Sequence, residues 1–469
     1  MSKLNATDIQ GFVLRGYNMP FARYLFLRLT DPGKARLLLQ KLLPLITTGQ
    51  LWDKKPDTAI NLAFTHSGLV ALELPLATLI SFPAEFQLGM KARGTILGDV
   101  GRNSKEHWDK VWREGDVHVW LAINALNKEV LISCFDQMQA LFEEIGGVIL
   151  LDFQDAAAIA INGQFTSKEH FGYTDGFGNP DYLGVCRSTQ PGQGKLMEDG
   201  SWVPLATGEL LLGYADEAGE LPVAPVPRLL GTNGTFMVYR KIYQNVGTFR
   251  QFLNKWAKHY GEGDEQAKEK LAAKFVGRWR DGTPIELSPD HQDPEIVSDA
   301  DRNVNFMFKD DLAGTRCPIG AHIRRVNPRD AFGFNGKLVR RRRISRRGLP
   351  YGPPAPPEDQ FNDTAETDAT DRGIVFMALN ASLSRQFEFV QQQWISYGND
   401  ARLGNEKDLL MGSHEEGEHF AIQGDTTAAN PPYFCSDLPN FVELRGGDYF
   451  FIPSITALGM LAMNLVDPR

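Results

Sequence analysis

The pattern that most constrains this chain is a short apolar strand followed by an amphipathic helix, written four times. Residues 24–29 (YLFLRL) read as a strand, and Ala35, Leu38, Leu39, Leu42 and Leu43 after them recur at helical spacing. The second unit is 117–123 (VHVWLAI), followed by Val130, Ile132, Phe135, Met138, Leu141 and Phe142. The third is 235–240 (TFMVYR), followed by Val246, Phe249, Phe252, Leu253 and Trp256. The fourth is 374–379 (IVFMAL), followed by Leu383, Phe387, Val390 and Trp394. Further short strands fit 59–64 and 147–152. Two strand-helix units with linking strands make one βαββαβ domain, so four predict two such domains in an α+β architecture. The run 221–227 (LPVAPVP) marks the expected boundary, giving domains 1–220 and 221–469.

A chain of 469 residues with 42% hydrophobic and 10% aromatic residues can bury a substantial core, which excludes global disorder. Its net charge of −9 argues against nucleic acid as a partner, because phosphate binding needs a basic field. Four scattered cysteines with no CxxC pair form neither a disulfide framework nor a zinc site. The N-terminal residues carry no signal-peptide pattern, so a cytoplasmic location is expected. The stretch 449–466 is apolar enough to raise a membrane span, but Pro453, Ser454, Thr456, Gly459 and Asn464 favour a buried strand and a short core helix. Segments 289–301, 353–371 and 406–418 are rich in acidic residues, Pro or Gly and read as surface loops.

Two segments carry the chemistry. In 317–352, His322 lies between small and apolar neighbours, Ala321 and Ile323, which let a flat ligand approach the imidazole. Neutral imidazole is a common metal ligand, though taken alone such a histidine reads more readily as a core residue hydrogen-bonded to backbone. Upstream, 170–180 (HFGYTDGFGNP) embeds Asp175 among Gly172, Gly176 and Gly178, a loop whose glycines let backbone approach something large and flat. Arg340, Arg341, Arg342 and Arg343 read mostly as a solvated strand edge, or as partners for an anionic group.

These segments resemble the dye-decolorizing peroxidases. GYTDG (172–176) matches that family's GxxDG motif, and GFGNP (176–180) its continuation. AHIR (321–324) with NPR (327–329) resembles the proximal-histidine stretch, ISRRGLPYG (344–352) the distal-arginine stretch, and GGDYFFIPS (446–454) a closing pattern. Five matches in order across 170–458 make the resemblance specific.

The resemblance implies tandem ferredoxin-like domains, with haem b held mainly by the C-terminal one and the GxxDG loop lying over it. It implies a peroxidase that reduces hydrogen peroxide and oxidises bulky aromatic or dye-like donors. His322 would be the axial iron ligand, Asp175 the base that moves a peroxide proton, and Arg346 the charge that assists O–O cleavage. Asp408 stands where the family has the acid behind its histidine. Ile374 and Phe376 match its distal apolar pair. Tyr351 and Trp394 match positions proposed as surface electron relays. Another subgroup carries asparagine two places after the arginine, where this chain has Gly348. The alternative is a haem carrier, a haem store or a haem-iron-releasing protein, with no membrane partner and an oligomeric state open between monomer and dimer.

Overall fold

The computed structural model describes residues 4–186, 188–356, 370–425 and 431–467. Its centre is one antiparallel sheet of eight strands: β1 (Phe21–Leu29), β2 (Thr58–Phe64), β3 (Val119–Ala125), β4 (Val148–Ala157), β5 (Thr235–Gln244), β6 (Ser345–Tyr351), β7 (Gly373–Asn380) and β8 (Val442–Ile452). The spatial order is β6-β7-β5-β8-β2-β3-β1-β4. Each half therefore repeats one order: β4-β1-β3-β2 in the first and β8-β5-β7-β6 in the second. That is the ferredoxin-like arrangement expected from the strand-helix units.

The halves are not separate sheets. Phe451 of β8 pairs with Phe64 of β2, joining them edge to edge, and the outer strands β4 and β6 approach each other. Unpaired edges are a liability that such curling reduces. Both halves share the core inside the curl, where Tyr239 of β5 lies 5.5 Å from Phe26 of β1 and 5.2 Å from Trp112 between ring centroids.

Helices α1 (Pro32–Leu42) and α2 (Lys128–Ile145) follow β1 and β3, as the periodicity requires. Asp31 and Asn127 cap them, each accepting a backbone N–H three residues on. In the second half, α3 (Val246–Ala257) and α4 (Glu265–Val276) follow β5. The fourth expected helix differs: Ser384–Glu388 and Val390–Ile395 are wide π turns. Glu388 N–H donates to Leu383 O and Ser396 N–H to Gln391 O, each five residues back. The wider turn presents Phe387, Val390, Gln391 and Ile395 to one cavity, and π turns gather at functional sites.

The stretch 449–466 does become strand and short helix, with α6 (Ile455–Ala462) after β8. Among the described residues, no helix is long and apolar enough to cross a membrane.

Three readings are corrected. Segment 289–301 carries two short helices, Pro294–Ser298 and Ala300–Asn303. Segment 406–418 is not a surface loop, since Asp408 and Leu409 are both fully buried. The arginine run is not a solvated strand edge. It leaves the short helix Lys337–Arg340 in a turn, so its side chains diverge to Leu196 O, Asp216, Arg385 O and Gly178 O respectively. Most of segment 353–371 lies outside the described residues.

Candidate active site

Strand alternation builds the site. Arg240, Ile242 and Gln244 on β5, Ile374 and Phe376 on β7, and Arg346 on β6 all line one cavity of about 300 Å³. Their alternates, Tyr239 on β5 and Val375 and Met377 on β7, are buried in the shared core. The other walls come from the Asp175 loop, from the π-turn segment and from α5 (His322–Val326).

His322 opens α5, and two arginines fix that short helix. Arg324 donates to Asp311 and to the carbonyl of Cys317. Arg325 donates to the carbonyls of Trp394 and Glu406. The His322 Nδ1 lies 3.1 and 3.0 Å from the two oxygens of Asp408. Asp408 is 0% exposed and also accepts the backbone N–H groups of Leu410 and Met411. Burial raises the Asp408 pKa, but His322, Arg325 and the Met411 N–H hold it below the ordinary value. The ionised acid makes Nδ1 the donor, and Nε2 has no protein partner among the described residues.

On the opposite functional element, Asp175 and Arg346 meet. Arg346 Nη1 donates to Asp175 Oδ1 at 2.9 Å and Nη2 to the carbonyl of Phe177 at 2.7 Å. Asn179 accepts the Arg346 backbone N–H at 2.9 Å. Gly176 N–H also donates to Asp175 Oδ1, and Gly176 holds φ +98, a region that side-chain-bearing residues rarely adopt. Asp175 Oδ2 has no protein partner among the described residues. Burial opposes ionisation of Asp175, yet Arg346 and Gly176 N–H outweigh it and keep the carboxyl below its ordinary range. Gly348 has a structural reason: its φ is +141, and a Cβ there would collide with the Val375 carbonyl. An asparagine at this place would be strained.

Arg278, Arg329 and Arg343 line the same cavity, and sequence reasoning missed the first two as site residues. Arg278 donates to Gly282 O and to Asn303, Arg329 to Val304 O and Phe306 O, and Arg343 to Gly178 O. None forms an ion pair with a carboxylate among the described residues. Burial, then the neighbouring Arg346 charge, pushes Arg278 down to about 9. Burial, then Arg343, pushes Arg329 lower than usual as well. An anion here would relieve this repulsion. A planar group with a metal for Nε2, apolar faces for Ile374, Phe376 and Met411, and carboxylates for the arginines fits the donor set. Haem has those features.

Tyr351 and Trp394 do not line the cavity, and both are buried, at 2% and 5% exposure. The rings expected at the surface are therefore covered. Tyr351 Oη donates to Asp371 at 3.1 Å, and Trp394 packs on Phe389 and Phe332.

Behind α5 lies a second charged cluster. Glu286 pairs with Arg316 at 2.8 Å, close to Asp311. Burial, then Asp311, raises the Glu286 carboxyl to about 8. A carboxyl whose folded pKa lies above its unfolded value contributes stability below the unfolded pKa and loses it as pH rises to the folded one. Thermal stability is expected to fall between about pH 4.5 and 8 on this account. Glu286→Gln should flatten that fall in thermal melts, and an unchanged slope would refute the assignment.

Comparison with known proteins agrees with this geometry. The family model described as the DyP dimeric alpha+beta barrel domain matches residues 8–151. Dye-decolorizing peroxidase msp1 of Mycetinis scorodonius is 30% identical, over 97% of this chain and 87% of that protein. Multifunctional dye peroxidase DyP2 of an Amycolatopsis species is 27% identical, over 97% of this chain and 95% of that protein. A solved dye-decolorizing peroxidase in complex with 2,6-dimethoxyphenol superposes with TM-score 0.82 at 27% identity, covering 98% of this chain and all of the other. Fold and cavity together define a peroxidase of α+β barrel type. The chain belongs to the dye-decolorizing peroxidase family, whose members are haem peroxidases.

Proposed function

We propose that the cavity holds haem b, that His322 would ligate its iron, and that Asp175 and Arg346 would act on hydrogen peroxide. The observation that carries this reading is that one cavity is lined both by a carboxylate-backed histidine with a free Nε2 and by an ionised Asp–Arg pair. None of the four cysteines lines the cavity, which favours a non-covalently held haem b. Arg278, Arg329 and Arg343 would bind its propionates. When bound, the haem supplies the iron at which peroxide is reduced and from which electrons are drawn.

The protein's part follows from its atoms. Asp175 Oδ2, unpartnered and ionised, takes the peroxide proton and returns it to the departing oxygen. The Arg346 guanidinium supplies positive charge for the negative charge that develops as the O–O bond breaks. Ile374 and Phe376 exclude water from the cavity. Asp408 holds His322 Nδ1–H and strengthens its donation to the metal. A carrier would use His322 but has no need of the Asp175–Arg346 pair.

The boundary near residue 220 fits this division, since the Asp175 loop precedes it while His322, Arg346 and Asp408 follow. Four unpaired cysteines fit a reducing, cytoplasmic setting.

A related peroxidase binds 2,6-dimethoxyphenol, and an aromatic reducing substrate is our reading here. Purified, haem-loaded protein should oxidise this phenol and an anthraquinone dye only when peroxide is added. No peroxide-dependent turnover of either would overturn the reading.

A bulky dye, as the electron donor, would pass its electrons to the haem through Tyr351 or Trp394. Tyr351 has a base in place, because Asp371 can accept its proton on oxidation. Replacing both rings with phenylalanine should lower dye turnover at least tenfold while peroxide reacts with the haem at its normal rate. Undiminished dye turnover in that double variant would place electron entry elsewhere.

A further inference from the structure

His414 is a buried side chain that the chemistry above does not use, yet it is bonded into the turn that carries Asp408. Its Nδ1 lies 2.7 Å from Glu418 Oε2 and its Nε2 lies 2.9 Å from the carbonyl oxygen of Leu409. A carbonyl only accepts, so Nε2 must donate. The other Glu418 oxygen accepts from Lys407 Nζ at 2.6 Å, which anchors the carboxylate against Nδ1. The ring is thus bridged between the Glu418 carboxylate and the Leu409 carbonyl. The ring itself cannot drift. Its backbone N–H donates to Asn440 Oδ1 at 2.8 Å, and Asn440 returns a bond to the His414 carbonyl.

The Leu409 carbonyl belongs to the same peptide plane as the N–H of Leu410, which donates to Asp408 Oδ1 at 3.0 Å. One rigid peptide thus links the His414 ring to the carboxylate that holds His322. Gly412 closes the turn, its N–H donating to the Asp408 carbonyl at 2.8 Å. A Cβ there would lie 2.7 Å from that oxygen and 3.1 Å from His414 Cε1, so the ring packs directly on the turn.

We infer that His414 is the positioning residue for the Asp408–His322 pair: by clamping the 409–410 peptide it fixes the carboxylate, and so sets how strongly His322 donates to iron. The inference rests on His322 being the axial ligand. Charge-assisted bonds such as that to Glu418 are the strong ones, and partners behind a metal ligand tune the metal through it.

The test is resonance Raman of the reduced, haem-loaded protein, read at the iron–histidine stretching band. His414→Phe keeps a ring but loses the donor, so the peptide is freed and the Asp408 bond to His322 weakens. The band is expected to move to lower frequency. His414→Gln can still donate to Leu409 O and should restore it towards the wild-type value. Glu418→Leu, which removes only the anchor of Nδ1, should give a smaller shift of the same sign and serves if His414→Phe fails to fold. A band that stays in place or moves upward in the folded variants would overturn the role of His414. Absence of any such band in the wild type would instead remove the axial assignment of His322, so the two failures are distinguishable.

Discussion

Replacing Arg346 with leucine is expected to slow the reaction with hydrogen peroxide by about two to three decades, with haem content unchanged. The guanidinium lines the cavity but donates to Asp175 and Phe177 O, and the backbone at this residue is held by Asn179. Leucine removes the charge without disturbing that strand. Asp175→Ala is expected to cost about two to four decades, because Oδ2 is the atom placed to move the proton. The two losses should not add, since the groups share a hydrogen bond. Stopped-flow absorption of the haem after mixing with peroxide reads both. Because Asp175 is held below its ordinary range, the wild-type rate should persist down to about pH 4. Wild-type rates in both variants would defeat the mechanism and leave a haem-binding protein without peroxide chemistry.

The second large effect is expected at His322. Alanine there removes the only side chain that offers the cavity a free imidazole nitrogen among its described lining residues. Stoichiometric haem binding should be lost, or the axial ligation should change to a form seen at once by resonance Raman. Asp408 makes the loss larger than that of a ligand alone. With its imidazole gone, a fully buried carboxylate keeps only backbone N–H partners and the more distant Arg325, and leaving a buried charge short of partners is costly. Asp408→Asn separates the terms: haem should still bind, with weaker donation from His322. Unchanged ligation in His322→Ala would sink the assignment.

Much of this was legible in the chain. The strands were visible because both faces of this sheet are covered, so β1, β3, β5 and β7 are nearly continuous apolar runs. The joining of two halves was not, because β2 and β8 are apolar whether they meet each other or lie apart. Strand β6 (SRRGLPY) escaped a reading by periodicity, since its arginines bond to a loop and to backbone rather than alternate with core residues. Asp175, His322, Arg346 and Asp408 were found through the family resemblance, and the fold brings the first three to one cavity with Asp408 behind His322. Arg278 and Arg329 were missed because an unpaired cation is a property of space. Nothing beside Arg278 in the chain shows that no carboxylate will reach it. The π turns escaped for a related reason: Leu383, Phe387, Val390 and Trp394 fit α-helical spacing, and only the cavity shows why the turn widens.

The central claim is that this cavity joins a haem-binding wall to a peroxide-activating one. The most direct measurement is the visible absorption spectrum of the haem-loaded protein, before and after one equivalent of hydrogen peroxide. The account predicts one haem per chain, an immediate change of the Soret band on peroxide, and its reversal by an aromatic donor. Tight haem binding with a spectrum indifferent to peroxide would contradict it.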